Sequence, residues 1–145
     1  MTQAHLASAR IDTPASFALS QLADARAVGR WALGSMNFEP LGEGLWQGVS
    51  LFDGSPSIVE IVLHQELGLI DYHVGSREHR VPRVSIRVTS GADWGMGADQ
   101  CIAAMTTWRA GWMDGERWRR TCVTHETEVL LFKAQIETAW NNAEN

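Results

Sequence analysis

Cysteine is scarce in this chain of 145 residues, which has only Cys101 and Cys122. A CxxC pair or ligand cluster is absent, which argues against a structural zinc site, and no disulfide is needed to hold a chain of this length. Cys101 falls in a strand-like run and Cys122 on an apolar helix stripe, so both read as small buried hydrophobes. Lysine is scarcer still: Lys133 stands alone beside eleven arginines, on the polar flank of a helix, and Schiff-base chemistry has no suitable candidate. No run approaches the roughly 18 consecutive apolar residues of a membrane-spanning helix. The opening MTQAHLASARID also lacks the basic segment and apolar core of an export signal. A soluble, cytoplasmic protein is expected. With 12 basic against 17 acidic side chains and a net charge of −5, the surface should repel phosphate backbones, so nucleic acid is not an expected partner. The one basic run, SREHRVPR at residues 76–83, lies between strand-like segments and reads as a solvated turn.

Catalytic signatures are equally thin. There is no GxSxG elbow and no GxxxxGK[ST] loop, and Gly95-Met96-Gly97 is too short for a dinucleotide fingerprint. No cofactor is implied. Tryptophan, by contrast, is abundant: Trp31, Trp46, Trp94, Trp108, Trp112, Trp118 and Trp140 accompany a single tyrosine, Tyr72. Large aromatics either fill a core or line a pocket for a flat apolar ligand.

Along the chain, SARIDT reads as a first strand. Thr13-Pro14 then signals a helix start, with Thr13 as cap and Pro14 in the first helical position. Phe17, Leu19, Leu22 and Val28 give helical spacing, broken near Asp24 into two short helices ending around Leu33-Gly34. From Ser35 the periodicity becomes that of strands. SMNFEPLG, LWQGVSLF, SIVEIVLHQ, LIDYHVG, VPRVSIRVTSG and QCIAAMTTWRA are six successive candidates separated by glycine-bearing turns. A last long helix begins near Asp114. No repeat, linker or low-complexity segment interrupts this order, so residues 1–145 are expected to form a single domain. The expectation is an α+β fold of β-α-α-β6-α order, with a curved antiparallel sheet covered by the C-terminal helix.

That helix raises the main functional question. At 100° per residue, Trp118, Cys122, His125, Val129, Phe132, Ile136 and Trp140 fall within about 40° of one line, with His125 at its centre. Either His125 is a core histidine satisfied by a neighbouring carbonyl or hydroxyl, or the stripe roofs a cavity into which it points. Glu128, three residues on, is placed to orient it.

The order of elements, the opening ARIDTPASFALSQLADARAVGRW, the hairpin ending LIDYHVG and the closing RTCVTHETEVLLFKAQIE resemble the START-like superfamily, also called SRPBCC, with the helix-grip fold. The resemblance spans roughly residues 8 to 140 and rests on apolar and turn patterns rather than catalytic signatures. The superfamily includes polyketide cyclases and aromatases, lipid-transfer domains, the birch-pollen allergen and many bacterial proteins of unassigned function. It implies an apolar cavity between the sheet and the long helix.

With Gln65 to Gly68 as a hairpin turn, His64 opposes Leu69. This register places Val59, Ile61, Leu63, Ile70, Tyr72 and Val74 on the inner face, and Glu60, Val62, His64, Asp71 and His73 outside. Tyr72 then needs a partner for its inward hydroxyl, either His125 or a ligand oxygen. Glu60, His64, Asp71 and His73 have the chemistry of a divalent-metal site, but alternation on a solvent-facing sheet gives the same pattern, and no metal is expected. Val84, Ile86 and Val88 read as inward; Arg83, Ser85 and Arg87 read as outward. In the last strand, Cys101, Ala103 and Met105 compete with Ile102, Ala104 and Trp108 for the inner face. The loop from Gly91 to Asp99 is either an ordinary long connection or an entrance flap tipped by Trp94 and Met96.

The expected ligand-binding set is His125, Tyr72, Cys122, Trp118, Val129, Phe132, Trp108, Met105 and Trp46, contacting a small hydrophobic, aromatic or lipid-like molecule. The alternative is a cyclase, aromatase or dehydratase in which His125 exchanges a proton and Tyr72 polarises a carbonyl. A further alternative is a protein interaction module similar to chaperone-activating relatives of the superfamily, docking through Trp94 and Trp112. A homodimer is compatible with any of these.

Overall fold

The computed structural model describes residues 2–144. Strand β1 (Ala4–Ile11) leads into two short helices, α1 (Ala15–Ala23) and α2 (Ala25–Val28). Six strands follow: β2 (Met36–Gly42), β3 (Leu45–Val49), β4 (Pro56–His64), β5 (Leu69–Gly75), β6 (Arg80–Ser90) and β7 (Cys101–Trp108). Helix α3 (Gly115–Glu144) ends the chain. The strands form one curved antiparallel sheet in the order β1-β7-β6-β5-β4-β3-β2, with α3 packed over it, the expected helix-grip arrangement. Among the described residues, no helix is long and apolar enough to cross a membrane.

Several boundaries differ from the sequence reading for local reasons. Strand β1 begins four residues before SARIDT, pairing Ala4 with Trp108 through to Ile11 with Cys101. Its covered positions include Ala7 and Ala9, whose small side chains give little hydrophobic signal. Pro14, not Thr13, caps α1, because Thr13 is buried and its hydroxyl donates to the Pro14 carbonyl at 3.3 Å. Asp24 breaks the helical run as expected, its carboxylate accepting the Arg26 amide at 3.1 Å to cap α2. Helix α2 then stops at Val28, short of Leu33-Gly34. Strand β2 crosses its end so closely that a Cβ on Gly29 would lie 2.9 Å from the Phe38 amide nitrogen.

The β4–β5 hairpin has the expected register, from His64 opposite Leu69 to Val59 opposite Val74. Gly68 makes its turn in the left-handed conformation at φ 60°, and a Cβ there would come within 2.5 Å of the Val88 carbonyl oxygen. Cys101, Ala103, Met105 and Thr107 prove to be the covered residues of β7. Helix α3 packs mainly over β1, while α1 lies against β4 to β7. Between them Ile11, Leu22, Ile70, Ile86 and Phe132 form the fully buried centre. The remaining space under the N-terminal half of α3, beside the segment joining α2 to β2, is not filled.

Candidate functional site

That space is a cavity of about 330 Å³, near the lower end of the size range for small-molecule sites. Its apolar wall is built from Trp31, Phe38, Val59, Val84 and Met105, with Tyr72 behind them. Trp31 is held edge-on by two rings, Tyr72 at 6.1 Å and Phe132 at 5.1 Å between centroids. Phe38 lies across Gly48 so tightly that a Cβ there would sit 2.6 Å from its Cε1 atom.

Helix α3 roofs the cavity with Arg117, Arg120, Thr121, Thr124, His125 and Glu128. At 100° per residue this face is centred about 90° round the helix from the apolar stripe. The stripe is indeed buried, with Trp118, Val129, Phe132 and Ile136 almost inaccessible, but it packs against protein. The Trp118 indole, for example, donates to the Thr2 hydroxyl at 3.2 Å. His125 stands where the two faces meet.

His125 is buried, with Nε2 at 3.5 Å from Glu128 Oε1 and Nδ1 without a hydrogen-bond partner. Glu128 is also buried, and its other oxygen accepts the Leu33 amide at 2.8 Å. Burial pushes the imidazole down to about 4, with His5 and Arg83 adding to the shift. Burial pushes the carboxyl up to about 8, against the stabilising effect of the Leu33 amide. At neutral pH the wall therefore presents a neutral carboxylic acid beside a neutral imidazole.

Tyr72 corrects an expectation. Its hydroxyl donates to the Leu22 carbonyl at 2.5 Å, so its partner is the backbone of α1 rather than His125 or a ligand. Arg83 corrects another, since it faces the cavity instead of solvent. A bulge between β5 and β6 is the reason: Tyr72 pairs with Val84 but His73 with Pro82, leaving Arg83 as the extra residue. Its guanidinium lies 5.5 Å from the centroid of Trp112, over which Arg117 also lies at 5.4 Å, and Arg120 is 5.0 Å from that of Phe52. Trp112, with 64% of its surface exposed, is thus part of the entrance. Ser35, Ser50, Ser55 and Ser57 complete this polar rim, the Ser35 and Ser57 hydroxyls bonded to each other.

Of the nine residues expected to meet a ligand, the cavity brings together His125, Tyr72 and Met105. Cys122, Trp118, Val129 and Phe132 belong to the packed side of α3, Trp46 packs against the core, and Trp108 is exposed at the end of β7. Trp31, Phe38 and the three arginines line the cavity from outside that expected set. The bulge that turns Arg83 inward has no sequence signature stronger than Pro82 within a strand. The loop from Gly91 to Asp99 lies at the opposite end of β6 from Arg83, with Trp94 bonded to Thr89 at 3.0 Å, and is not the entrance. On the outer face of the sheet, Arg80 binds Glu60 and Ser85 binds Asp71. Among the described residues, no three His, Cys, Asp or Glu side chains are grouped to hold a metal.

No protein-family model and no curated protein matches the sequence. Solved structures do match the fold. A START superfamily protein from Mycobacterium smegmatis superposes with a TM-score of 0.71 at 11% identity, covering 95% of this chain and 99% of its own. The protein XoxI from Bacillus cereus gives 0.68 at 10% identity and covers 99% of both chains. The Zhui aromatase/cyclase from Streptomyces sp. R1128 gives 0.66 at 14% identity, covering 93% of each. The chain has the START-like, or SRPBCC, fold.

Proposed function

We propose that this START-like chain binds a small, largely apolar molecule in the space between its sheet and its C-terminal helix. The observation that carries the reading is the cavity of about 330 Å³, walled by Trp31, Phe38, Val84 and Met105 and open to solvent beside Trp112. A molecule entering it exchanges water for aromatic and aliphatic surface, each square ångström of apolar area contributing roughly 25 cal/mol. A filled interior would have favoured a purely protein-docking role. The likeness in fold to the Mycobacterium smegmatis START protein and to an aromatase/cyclase is compatible with a ligand site in this position.

The test is a fluorescence titration with the neutral dye N-phenyl-1-naphthylamine. Saturable binding at one site is expected, and Thr124→Trp, which places an indole in the cavity, should abolish it. Binding that survives that substitution unchanged would place the dye elsewhere and defeat the reading.

A second reading, an enzyme of the cyclase, aromatase or dehydratase type, is favoured by one observation: His125 and Glu128 meet in the cavity wall. Here Glu128, rather than Tyr72, is the acid. It gives its proton to a departing hydroxyl, and His125 takes the proton released from the adjacent carbon and returns it to Glu128. Under this reading, Glu128→Gln and His125→Ala lose dehydration of an aryl ketone bearing an aliphatic β-hydroxyl, yet keep dye binding. Turnover that persists in both variants counts against it.

A further inference from the structure

The proposed apolar site has an entrance of unexpected charge. The chain is acidic overall at −5, yet three guanidinium groups, Arg83 from β6 and Arg117 and Arg120 from the first turns of α3, converge where the cavity opens. Among the described residues, none of the three makes an ion pair. Asp53, whose carboxylate is held chiefly by the Ser55 hydroxyl and amide, also feels the Arg117 charge but forms no ion pair with it. Asp114 is used to cap α3 through the Arg117 amide at 2.8 Å. Glu128, deeper in the wall, is uncharged at neutral pH and offers no counter-ion.

Arg83 is the most telling of the three. Its Nε is buried without a hydrogen-bond partner, although buried polar groups are normally satisfied. Its guanidinium also shares the Trp112 ring with Arg117, which brings two like charges together. Burial, with Arg117 adding to it, lowers the affinity of Arg83 for its proton. An arrangement of this kind is relieved by an anion, because a planar guanidinium binds an oxyanion through paired, charge-assisted hydrogen bonds. The wall behind the three guanidinium groups is apolar.

We infer that the ligand is an amphiphilic anion, its oxyanion group held at the entrance by Arg83, Arg117 and Arg120 and its flat or aliphatic body inserted toward Trp31 and Met105. This inference rests on the proposed ligand site and specifies the class of molecule it takes.

Two probes with one ring system separate the two ideas: 2-naphthoate, which is charged, and 2-naphthamide, which is not. Titration followed by tryptophan fluorescence should show naphthoate binding at least ~10-fold tighter, the scale expected for one hydrogen bond to a charged group. Arg83→Met should bring the two affinities, measured in the same variant, to within about twofold of each other. Arg117→Gln, on the exposed side of the entrance, provides the same test with less risk to folding and should reduce the preference several-fold, as should added salt. A third probe, 2-naphthyl phosphate, tells whether the entrance favours a carboxylate or a phosphate; tighter binding of either over naphthamide supports the inference. Equal affinity for naphthoate and naphthamide, or a preference that survives both arginine substitutions, would overturn it while leaving the cavity reading intact. If neither compound binds while N-phenyl-1-naphthylamine does, the inference falls and the cavity reading stands; if none of the three binds, both fall.

Discussion

His125 Nε2 lies 3.5 Å from Glu128 Oε1, one turn apart on α3, with both side chains buried in the wall of the same cavity. Burial drives their proton affinities in opposite directions, the imidazole to about 4 and the carboxyl to about 8. Between those values both are neutral, so the helix carries an acid and a base into an apolar space without burying a charge.

This pairing makes stability depend on pH in a characteristic way. Glu128 keeps its proton in the folded state above the ordinary 4.5, so folding is disfavoured as pH rises from there toward 8. His125 acts oppositely: the unfolded chain takes up the proton first as pH falls below 6.5, and stability is lost on acidification down to about 4. The two effects offset each other between 4.5 and 6.5. Above 6.5 only Glu128 remains, at no more than about 1.4 kcal/mol per pH unit. Urea unfolding should therefore show stability declining from pH 6.5 to 8 in the wild type, and Glu128→Gln should flatten that decline. A Gln variant with the wild-type slope would show that another group titrates.

The Tyr72 hydroxyl is committed to Leu22, which predicts a structural effect and no functional one. Tyr72→Phe should cost about 0.5–1.5 kcal/mol, the net contribution of one hydrogen bond. Dye affinity should stay within twofold of wild type, because the ring remains in place. A large fall in affinity without loss of stability would restore a ligand-binding role for the hydroxyl.

Gly48 sets the position of Phe38. In Gly48→Ala the new methyl meets Cε1 of Phe38 at 2.6 Å and the backbone of Ser35 at 2.7 Å, so the ring must shift. Overpacking of this kind costs about 1–3 kcal/mol. Displacement of the ring into the cavity should also weaken dye binding, and calorimetric unfolding together with the titration measures both effects.

Phe132 is fully buried and supports Trp31 edge-on at 5.1 Å. Phe132→Ala should destabilise the fold by about 3–5 kcal/mol. Because Phe132 lies behind the wall rather than in it, its loss frees Trp31 to move, and Trp31 emission should shift to the red. Denaturant midpoints and emission spectra of the variant check both expectations.

Elements whose residues follow a simple period were legible in the sequence. The hairpin from Val59 to Val74 shows clear alternation and a turn that requires Gly68, so its register follows directly. The stripe from Trp118 to Ile136 was equally plain as the buried side of a helix. Yet hydrophobicity marks contacts that are packed, whereas the cavity is roofed by the adjoining edge of α3, where Thr121, Thr124 and Glu128 continue no apolar stripe. Strict alternation along β6 points Arg83 to solvent, and the bulge that turns it inward interrupts that alternation. The partner of Tyr72 lies 50 residues away in a helix, beyond anything local pattern reveals.

Whether the space under α3 receives a ligand is decided by a crystal structure of the protein grown with N-phenyl-1-naphthylamine. Density for the naphthalene ring is expected between Trp31, Phe38 and Thr124. Dye found only on an outer surface, such as the exposed Val123 and Leu130 of α3, with the cavity unchanged, would contradict it.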